Sequence, residues 1–382
     1  MRDDRLLRAP FLLCAAANFL QSLAFNLYLH LPGFLHEKGA GEVEIGVLSA
    51  ATAVAAIAVR PPLGALLDRG ARLRIVWLAA AVDVVVCLLH LTIDSIGPAI
   101  YVVRAAHGLA EAALFTTLFT IAADWVPASR RTEGLALYSA SGMLPIAIGG
   151  VLGDALLASG TYATLFWVSG GLAAAALAAS LGISEKPRAY AMDAEPSRGF
   201  VAALAQRDLA PLWMIGAVFG VALAGVFTFV KRYAMETQVA SVGAFFTAYA
   251  GTAIAVRLVG GSVPDRVGPR RLLPLALAAL AVGIGLLAFA RSQAEVLGSG
   301  VLCGIGHGFA YPILSSLVVS RARESERGAA ISILTALPDL GMLVGAPTAG
   351  WILEATGFSA MFAASAAMLV LGTLVFALWD RG

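Results

Sequence analysis

Two stretches of the chain resemble each other: VRPPLGALLDRGARLR at residues 59–74 and VRLVGGSVPDRVGPRR at residues 256–271. A shift of 197 positions superposes six identical residues, which are Val59 and Val256, Arg60 and Arg257, Gly64 and Gly261, Asp68 and Asp265, Arg69 and Arg266, and Arg74 and Arg271. Each stretch follows the second long apolar run of its half of the chain. Self-similarity at a fixed spacing indicates an internal repeat, so the sequence predicts two related halves.

The composition around this repeat is that of a membrane protein. Of the 382 residues, 59% are hydrophobic and 13% are charged, and the mean hydropathy is +0.85. A soluble globular protein carries about 25% charged residues. The charges lie in short runs between long apolar stretches, which is the pattern of repeated membrane spans. No basic domain suggests nucleic acid as a partner.

The apolar stretches number twelve, and each has about the 20 residues that a membrane-spanning helix needs. We place the spans at 10–32, 43–67, 74–92, 95–122, 132–158, 162–183, 210–232, 239–264, 272–290, 295–320, 328–354 and 358–379. Barrel strands would alternate apolar and polar residues in runs of about ten. These runs are longer and uniformly apolar, so helices are expected. A signal peptide is the alternative for the first run, but the repeat requires that run as a span.

The distribution of Lys and Arg predicts the orientation of the chain, because cytoplasmic loops carry an excess of these residues. Alternate loops and the two termini hold 19 of the 26 basic residues, and the other loops hold only Lys38, Lys231, Arg232 and Arg291. Arg60, Arg104 and Arg257 fall inside spans. We therefore expect a multi-pass protein of the cytoplasmic membrane, with both termini in the cytoplasm.

The longest polar stretch lies at mid-chain and divides the spans into two groups of six. The expected organisation is an N-terminal six-helix bundle at 1–183, a cytoplasmic linker at 184–209 and a C-terminal six-helix bundle at 210–382. Residues 199–206 are expected either to lie along the membrane surface as a short helix or to form plain linker.

The repeated pattern G-x-x-x-D-R-x-G-x-R resembles the signature loop of the major facilitator superfamily, and the resemblance extends over the whole chain. The second half fits it well, with Gly268 and Arg270 in place, whereas the first half has Ala71 and Leu73 at those positions. The resemblance implies an all-α fold of twelve transmembrane helices in two pseudo-symmetric six-helix bundles. It also implies a secondary transporter, and one chain that holds both halves is sufficient as a monomer.

The resemblance gives the signature residues a role in conformational gating. Gly64 and Gly261 let helices approach closely. In the family, the loop Asp lies at the N-terminus of a helix in the opposite half, where the helix dipole favours an anion. Asp68 is then expected near Gly328. The gate residues are accordingly Gly64, Asp68, Arg69, Gly261, Asp265 and Arg266; the alternative for Asp68 and Arg69 is a solvated pair at the end of a loop.

A second resemblance points to a branch of the family. Arg104-Ala-Ala-His107-Gly108 in span four is similar to the R-x-x-x-G element of proton-coupled exporters. Spans five and eleven loosely resemble the exporters' G-P-x-x-G element, although span five has Gly150 in place of the proline. These motifs imply a drug or metabolite exporter.

Ionisable residues inside spans predict a proton site. Arg104, His107 and Glu111 lie at i, i+3 and i+7 on one face of span four. Each costs about 2.5–3.5 kcal/mol in the membrane, so each needs a partner or a use. We expect Glu111 and His107 to carry the proton and Arg104 to tune them; the alternative is a buried polar cluster that only holds helices together. Asp83 on span three is the fourth candidate for proton coupling, and for this residue a structural salt bridge with Arg104 is favoured over a transport role.

A substrate cavity is expected between spans one, four, seven and ten of this fold. Its candidate residues are Asn18, Gln21, Asn26, Phe115, Phe227, His307 and Tyr311. Aromatic groups with few hydrogen-bonding groups suit an amphipathic substrate, and ordinary helix packing is the alternative for each residue.

The leading function is proton-coupled export of a small amphipathic molecule by alternating access. The alternatives are uptake or facilitated diffusion of a polar metabolite and, more remotely, a membrane-embedded enzyme or lipid-handling protein. The sequence contains no paired His-x-x-x-His, no G-x-S-x-G and no phosphate loop, so no catalytic residue, metal or cofactor is expected. Cys14, Cys87 and Cys303 lie in apolar stretches and are expected to act as small hydrophobic residues without a disulfide.

Overall fold

The chain folds as a set of long helices, because only a helix satisfies every backbone hydrogen bond of an apolar run within the run itself. The computed structural model describes residues 6–40, 42–70, 72–186, 198–240 and 243–380. Within these ranges it contains helices, turns and no β-strand. The three cysteines are free and buried, as expected.

The described residues of the first half of the chain form seven α-helices. They are α1 (Ala9–Asn26), α2 (Leu31–Glu37), α3 (Glu42–Arg69), α4 (Arg72–Leu89), α5 (Pro98–Trp125), α6 (Arg131–Ser159) and α7 (Tyr162–Leu181). The second half begins with the short helix α8 (Gly199–Leu204), in the stretch 199–206 where a short surface helix is one of the two expectations. Residues 187–197 of the expected linker lie outside the described residues. The helices that follow are α9 (Ala210–Thr237), α10 (Ala244–Val259), α11 (Val263–Val267), α12 (Pro269–Leu287), α13 (Gln293–Arg321), α14 (Arg327–Thr356) and α15 (Phe358–Trp379).

The number of spans agrees with the sequence. Within the described residues, eleven helical segments are long and apolar enough to cross a membrane, and the shorter apolar helix α10 is the twelfth. At 1.5 Å per residue, the 16 residues of α10 extend about 24 Å. That length is somewhat less than the hydrocarbon thickness of about 30 Å.

Two span boundaries differ from the prediction. Span one was expected to be a continuous helix over 10–32, but α1 ends at Asn26, a 3₁₀ turn covers Leu27–His30, and α2 continues to Glu37. Pro32 explains why a new helix begins here. A proline fits the first turn of a helix, whereas at later positions it has no N–H group to donate to the helix backbone. Span eight was expected over 239–264, but α10 ends at Val259, before the glycine pair 260–261.

The chain divides into two compact units. The first consists of residues 1–127 and 141–200, and the second of residues 128–140 and 201–382, so the first turns of α6 belong to the second unit. In the first unit α5 packs against α3 and α4, and α7 packs against α1 and α4. In the second unit α13 packs against α10 and α12, and α15 packs against α9 and α12. The two units therefore repeat one packing scheme.

Glycines make the contact between α10 and α13 unusually close. Gly300, Gly304 and Gly308 lie four residues apart on one face of α13. A methyl group at Gly304 would lie 2.5 Å from the carbonyl oxygen of Tyr249 on α10, and one at Gly300 would lie 2.7 Å from the carbonyl oxygen of Phe245. Small residues at this spacing let two membrane helices approach backbone to backbone.

Candidate functional site

The interior of the first unit holds a cluster of ionisable side chains, which we call the proton cluster: Asp83 on α4 and Arg104, His107 and Glu111 on α5. Asp83 is 2% exposed, Arg104 7% and His107 0%, and Glu111 is half-buried. The spacing of the three α5 residues places them on one face of that helix. The packing of α4 against α5 brings Asp83 to that face.

His107 links the arginine to the aspartate. Arg104 Nη1 lies 3.2 Å from His107 Nδ1, and His107 Nε2 lies 3.5 Å from Asp83 Oδ1. Because a guanidinium can only donate, Nδ1 is the acceptor, and the proton of a neutral ring is on Nε2, facing Asp83. The expected direct salt bridge between Asp83 and Arg104 is therefore wrong for these two described residues: the imidazole lies between them.

Glu111 adds a second carboxylate to the proton cluster. It follows His107 by one helical turn and lies close enough to Asp83 for the two carboxylates to interact electrostatically. The cluster thus contains two acids, one histidine and one permanent cation. Like charges at short range in a poorly solvated site oppose each other strongly.

Aromatic rings enclose His107. The centroid of its ring lies 4.5 Å from that of Tyr28 and 5.1 Å from that of Phe25, both with edge contacts. His90 lies 5.8 Å away and also contacts Tyr28, at 4.7 Å. Tyr28 and His90 are not among the candidates that the sequence predicts. A signal for His90 was available, because Asp83, Cys87 and His90 follow each other at i, i+4 and i+7 along α4 and the 3₁₀ turn His90–Thr92 that continues it.

The same region contains three groups of metal-ligand type, and one of them is engaged by Arg104. Ligand atoms of Asp83, Cys87 and His107 lie within 4.8 Å of one another. A metal on His107 Nε2 would require the ring proton to move to Nδ1. That nitrogen faces Arg104, which has no acceptor for the proton, so a metal on Nε2 would require Arg104 to move away from the ring.

The cavity candidates of the first unit differ in their surroundings. The Asn18 amide donates to Ser141 Oγ at 2.9 Å, and the Asn26 amide donates to the Ser22 carbonyl at 2.7 Å. Gln21 is 1% exposed, and its side-chain nitrogen and oxygen have no hydrogen-bond partner among the described residues. Phe115 is half-buried, with its ring 6.4 Å from that of Phe119.

The cavity candidates of the second unit gather around a histidine. The ring of His307 lies 5.2 Å from that of Phe219 and 6.3 Å from that of Tyr311. Tyr249, which the sequence analysis missed, makes a hydrogen bond through its hydroxyl to His307 Nδ1. Phe227 stacks on Phe246 at 5.9 Å and meets Tyr249 edge-on at 5.4 Å. Their role in binding a substrate stays a prediction.

The signature loop of the second half binds a helix N-terminus. The two carboxylate oxygens of Asp265 accept hydrogen bonds from the backbone N–H groups of Thr132, at 3.0 Å, and Glu133, at 2.9 Å, in the first turn of α6. These N–H groups have no partner within the helix, and the dipole favours an anion there. A methyl group on Gly261 would lie 2.7 Å from the carbonyl oxygen of Arg257 and 3.4 Å from Ala136 Cβ, so the glycine is required by the preceding turn and not by the contact with α6.

The signature loop of the first half has its turn glycine one position earlier. Gly268 has φ +103° in the loop of the second half, and in the described part of the corresponding loop of the first half the residue with a positive φ is Gly70, at +97°. The shift of 197 positions pairs Gly268 with residue 71 and not with Gly70. The first half therefore has the turn glycine of the motif, but one position earlier. Gly64 is buried in α3, Asp68 is half-buried, and Arg69 and Arg266 are exposed. The expected contact of Asp68 near Gly328 stays a prediction.

We expect Asp265→Asn to lower the stability of the protein, because the amide keeps an acceptor oxygen but loses the charge that the helix dipole favours. The loss should be about 1 kcal/mol, measured as a lower melting temperature of the purified protein. Glu324→Gln, at an exposed acidic residue, is the matched control and should leave the melting temperature unchanged. Equal effects of the two variants would show that the hydrogen bonds to α6 add no stability.

Comparison with known proteins identifies related chains along the full length. The family model described as Major Facilitator Superfamily matches residues 11–240 and 234–381. The staphylopine export protein of Staphylococcus aureus is 22% identical over 368 residues, which cover 94% of this chain and 90% of that protein. The multidrug resistance protein MdtH of Aeromonas hydrophila is 35% identical over 97 residues, which cover 25% of this chain and 24% of that protein.

Solved structures share the architecture. The human organic anion transporter MFSD10 (TETRAN) superposes with a TM-score of 0.84 at 18% identity, covering 97% of this chain and 99% of that one. The E. coli fucose:proton symporter FucP superposes with a TM-score of 0.81 at 14% identity, covering 99% and 100%. At these identities the likeness concerns the fold, and it confirms the expected twelve-helix, two-bundle architecture.

Proposed function

The chain belongs to the major facilitator superfamily, and we propose that this multi-pass membrane transporter exports a small amphipathic molecule in exchange for protons, by alternating access. The observation that carries the proposal is the proton cluster of Asp83, Arg104, His107 and Glu111 inside the first unit.

The composition of the cluster favours a coupling role over a structural one. A structural ion pair would need one acid and one base, because each unpaired charge costs about 2.5–3.5 kcal/mol in the membrane. The cluster has two acids, a histidine and one permanent cation, Arg104, which is more ionisable groups than an ion pair needs. A site that holds one exchangeable proton between two carboxylates and a histidine can couple that proton to a change of conformation.

The export direction has separate support. The element Arg104-Ala-Ala-His107-Gly108 resembles that of proton-coupled exporters, and the relative matched over nearly the whole chain is named as an export protein. The aromatic groups around His307 favour an amphipathic substrate.

Uptake of a polar metabolite is the second candidate, and one observation favours it. The buried amide of Gln21 has no hydrogen-bond partner among the described residues, and it offers a donor and an acceptor to a polar ligand. The sugar:proton symporter among the structural neighbours shows that the fold also serves transport of that kind.

A ligand screen with a transport assay separates the two candidates. The purified protein is melted in the presence of amphipathic drugs and dyes, and separately with sugars and organic acids, since a ligand stabilises the folded state by mass action. The stabilising compound is then followed in proteoliposomes under an imposed pH gradient. We expect an amphipathic hit that moves against the direction of proton flow. A polar hit that moves with the protons would support the second candidate.

The proposed orientation places both termini in the cytoplasm, in the cytoplasmic membrane. A cysteine introduced at Ser95, an exposed residue between α4 and α5, should react with an impermeant thiol reagent added to intact cells. A cysteine at Glu195 should react only after the cells are opened. The native cysteines are buried and give a low background. Strong labelling of the Glu195 variant in intact cells would contradict this topology.

A further inference from the structure

A cavity of about 460 Å³ opens at one end of the first unit. It lies between the segment that ends α2, the turn after α4 and the start of α7, which is the end of the unit that the Lys and Arg distribution predicts to face outside. Its lining includes Glu37, Lys38, His90, Asp94, Tyr162 and Phe166. Two carboxylates against one ammonium make its mouth net negative, which attracts protons.

His90 forms part of the cavity wall and has an unused acceptor. Its Nδ1 lies 2.9 Å from the carbonyl oxygen of Val86, which can only accept, so Nδ1 carries the proton and Nε2 carries a lone pair. Nε2 has no hydrogen-bond partner among the described residues, although His90 is 1% exposed. A buried acceptor left unpaired costs about 1–3 kcal/mol. A phenylalanine would fill the same aromatic position without that penalty.

The inner side of His90 faces the proton cluster. The ring centroids of His90 and His107 are 5.8 Å apart in an edge-to-face contact, so the two imidazoles are direct neighbours. Tyr28 contacts both rings, and its hydroxyl donates to the carbonyl of Cys87. The charged and titratable groups that face His90 are Arg104, His107 and Tyr28 from the protein interior and Glu37, Lys38, Asp94 and Tyr162 from the cavity.

We propose that His90 is the port through which protons from the outer solution reach the buried pair of His107 and Asp83, by way of this cavity. The inference rests on the proposed proton coupling. His90 Nε2 takes a proton from water in the cavity. The positive charge on His90 repels Arg104, which releases His107 Nδ1. His107 Nδ1 accepts the proton from His90 Nε2, and His107 gives its Nε2 proton to the Asp83 carboxylate. Both rings end neutral, with the His90 proton on Nδ1 as before and the His107 proton moved from Nε2 to Nδ1.

The test follows the protonation of Asp83 directly and needs no substrate. Full-length protein in lipid nanodiscs is acidified rapidly, and the carbonyl stretch of protonated Asp83 is followed by infrared spectroscopy, with the band assigned by its loss in Asp83→Asn. In His90→Phe and His90→Gln we expect the band to appear about a hundredfold more slowly, at an unchanged equilibrium midpoint. A wild-type rate would overturn the proposal. A shifted midpoint without a slower rate would show a positioning role and would also overturn it.

A plug in the cavity provides a second variant that leaves His90 intact. Ala163 is exposed and lines the cavity. Ala163→Cys labelled with a bulky charged thiol reagent should therefore slow the appearance of the Asp83 band as much as His90→Phe does. Gln293→Cys, exposed at the start of α13, is the labelled control and should keep the wild-type rate. Unslowed protonation in the plugged protein would exclude the cavity as the route. A wild-type Asp83 band that does not respond to pH would instead contradict the proposed proton coupling itself.

Discussion

Glu111→Gln should abolish accumulation of the transported ligand while leaving its downhill exchange intact. A gradient of one pH unit stores about 1.4 kcal/mol per proton, which supports about tenfold accumulation at one proton per substrate. The glutamine keeps the size and hydrogen bonding of Glu111 but cannot exchange a proton, so the accumulation ratio should fall from about ten to one. The measurement is ligand uptake into proteoliposomes with and without the gradient, together with counterflow at equal pH.

Two further variants are needed to interpret the result for Glu111→Gln. Glu354→Gln, at an exposed position of α14, is the control and should transport like the wild type. Asp83→Asn should also lose accumulation, because it removes the carboxylate that His107 faces. If Glu111→Gln still concentrates the ligand and Asp83→Asn does not, then Asp83 is the coupling carboxylate and Glu111 only hydrogen-bonds.

Gly304→Ala should be among the most destabilising single-methyl changes in the protein. The added Cβ would lie 2.5 Å from the Tyr249 carbonyl oxygen and 2.8 Å from Thr252 Cβ, so α10 and α13 would have to separate. Overpacking of this kind costs about 1–3 kcal/mol, and backbone contacts place Gly304 at the upper end of that range. The measurement is the melting temperature of the purified protein.

Gly298 on the same helix provides the matched control for that change. A methyl group there meets nothing within 4 Å, and alanine is a better helix former than glycine by about 1 kcal/mol. Gly298→Ala should therefore melt at the wild-type temperature or above it. A Gly304→Ala protein as stable as wild type would mean that α10 and α13 do not pack backbone to backbone.

The sequence predicts the helices and the internal repeat well, because both depend on local composition and fixed spacing. The twelve apolar runs and the paired Asp68 and Asp265 loops need no knowledge of tertiary packing. The predicted ends of helices are wrong where a proline or a glycine determines the local backbone conformation. Pro32 restarts a helix within an expected span, and Gly70 supplies a positive φ one position away from the one that the repeat indicates.

The candidate site is predicted only along single helices. The spacing on α5 places Arg104, His107 and Glu111 on one face without further information. The partner of Asp83 depends on the rotation of α4 against α5, which the sequence does not contain, so the expected bridge to Arg104 is wrong and His107 takes that place. Tyr28 escapes notice because the 3₁₀ turn at Leu27–His30, which carries it, is itself unexpected.

Proton release on ligand binding is the most direct test of coupling at the proton cluster. The purified protein is mixed in weakly buffered solution with the ligand found by thermal shift, and the pH change is read with an indicator dye. Exchange of substrate against a shared proton predicts release of about one proton per bound ligand near the pH where the cluster is half-protonated, and no release from Glu111→Gln or Asp83→Asn. Binding without any proton release by the wild-type protein, or with proton uptake, would contradict the proposed antiport.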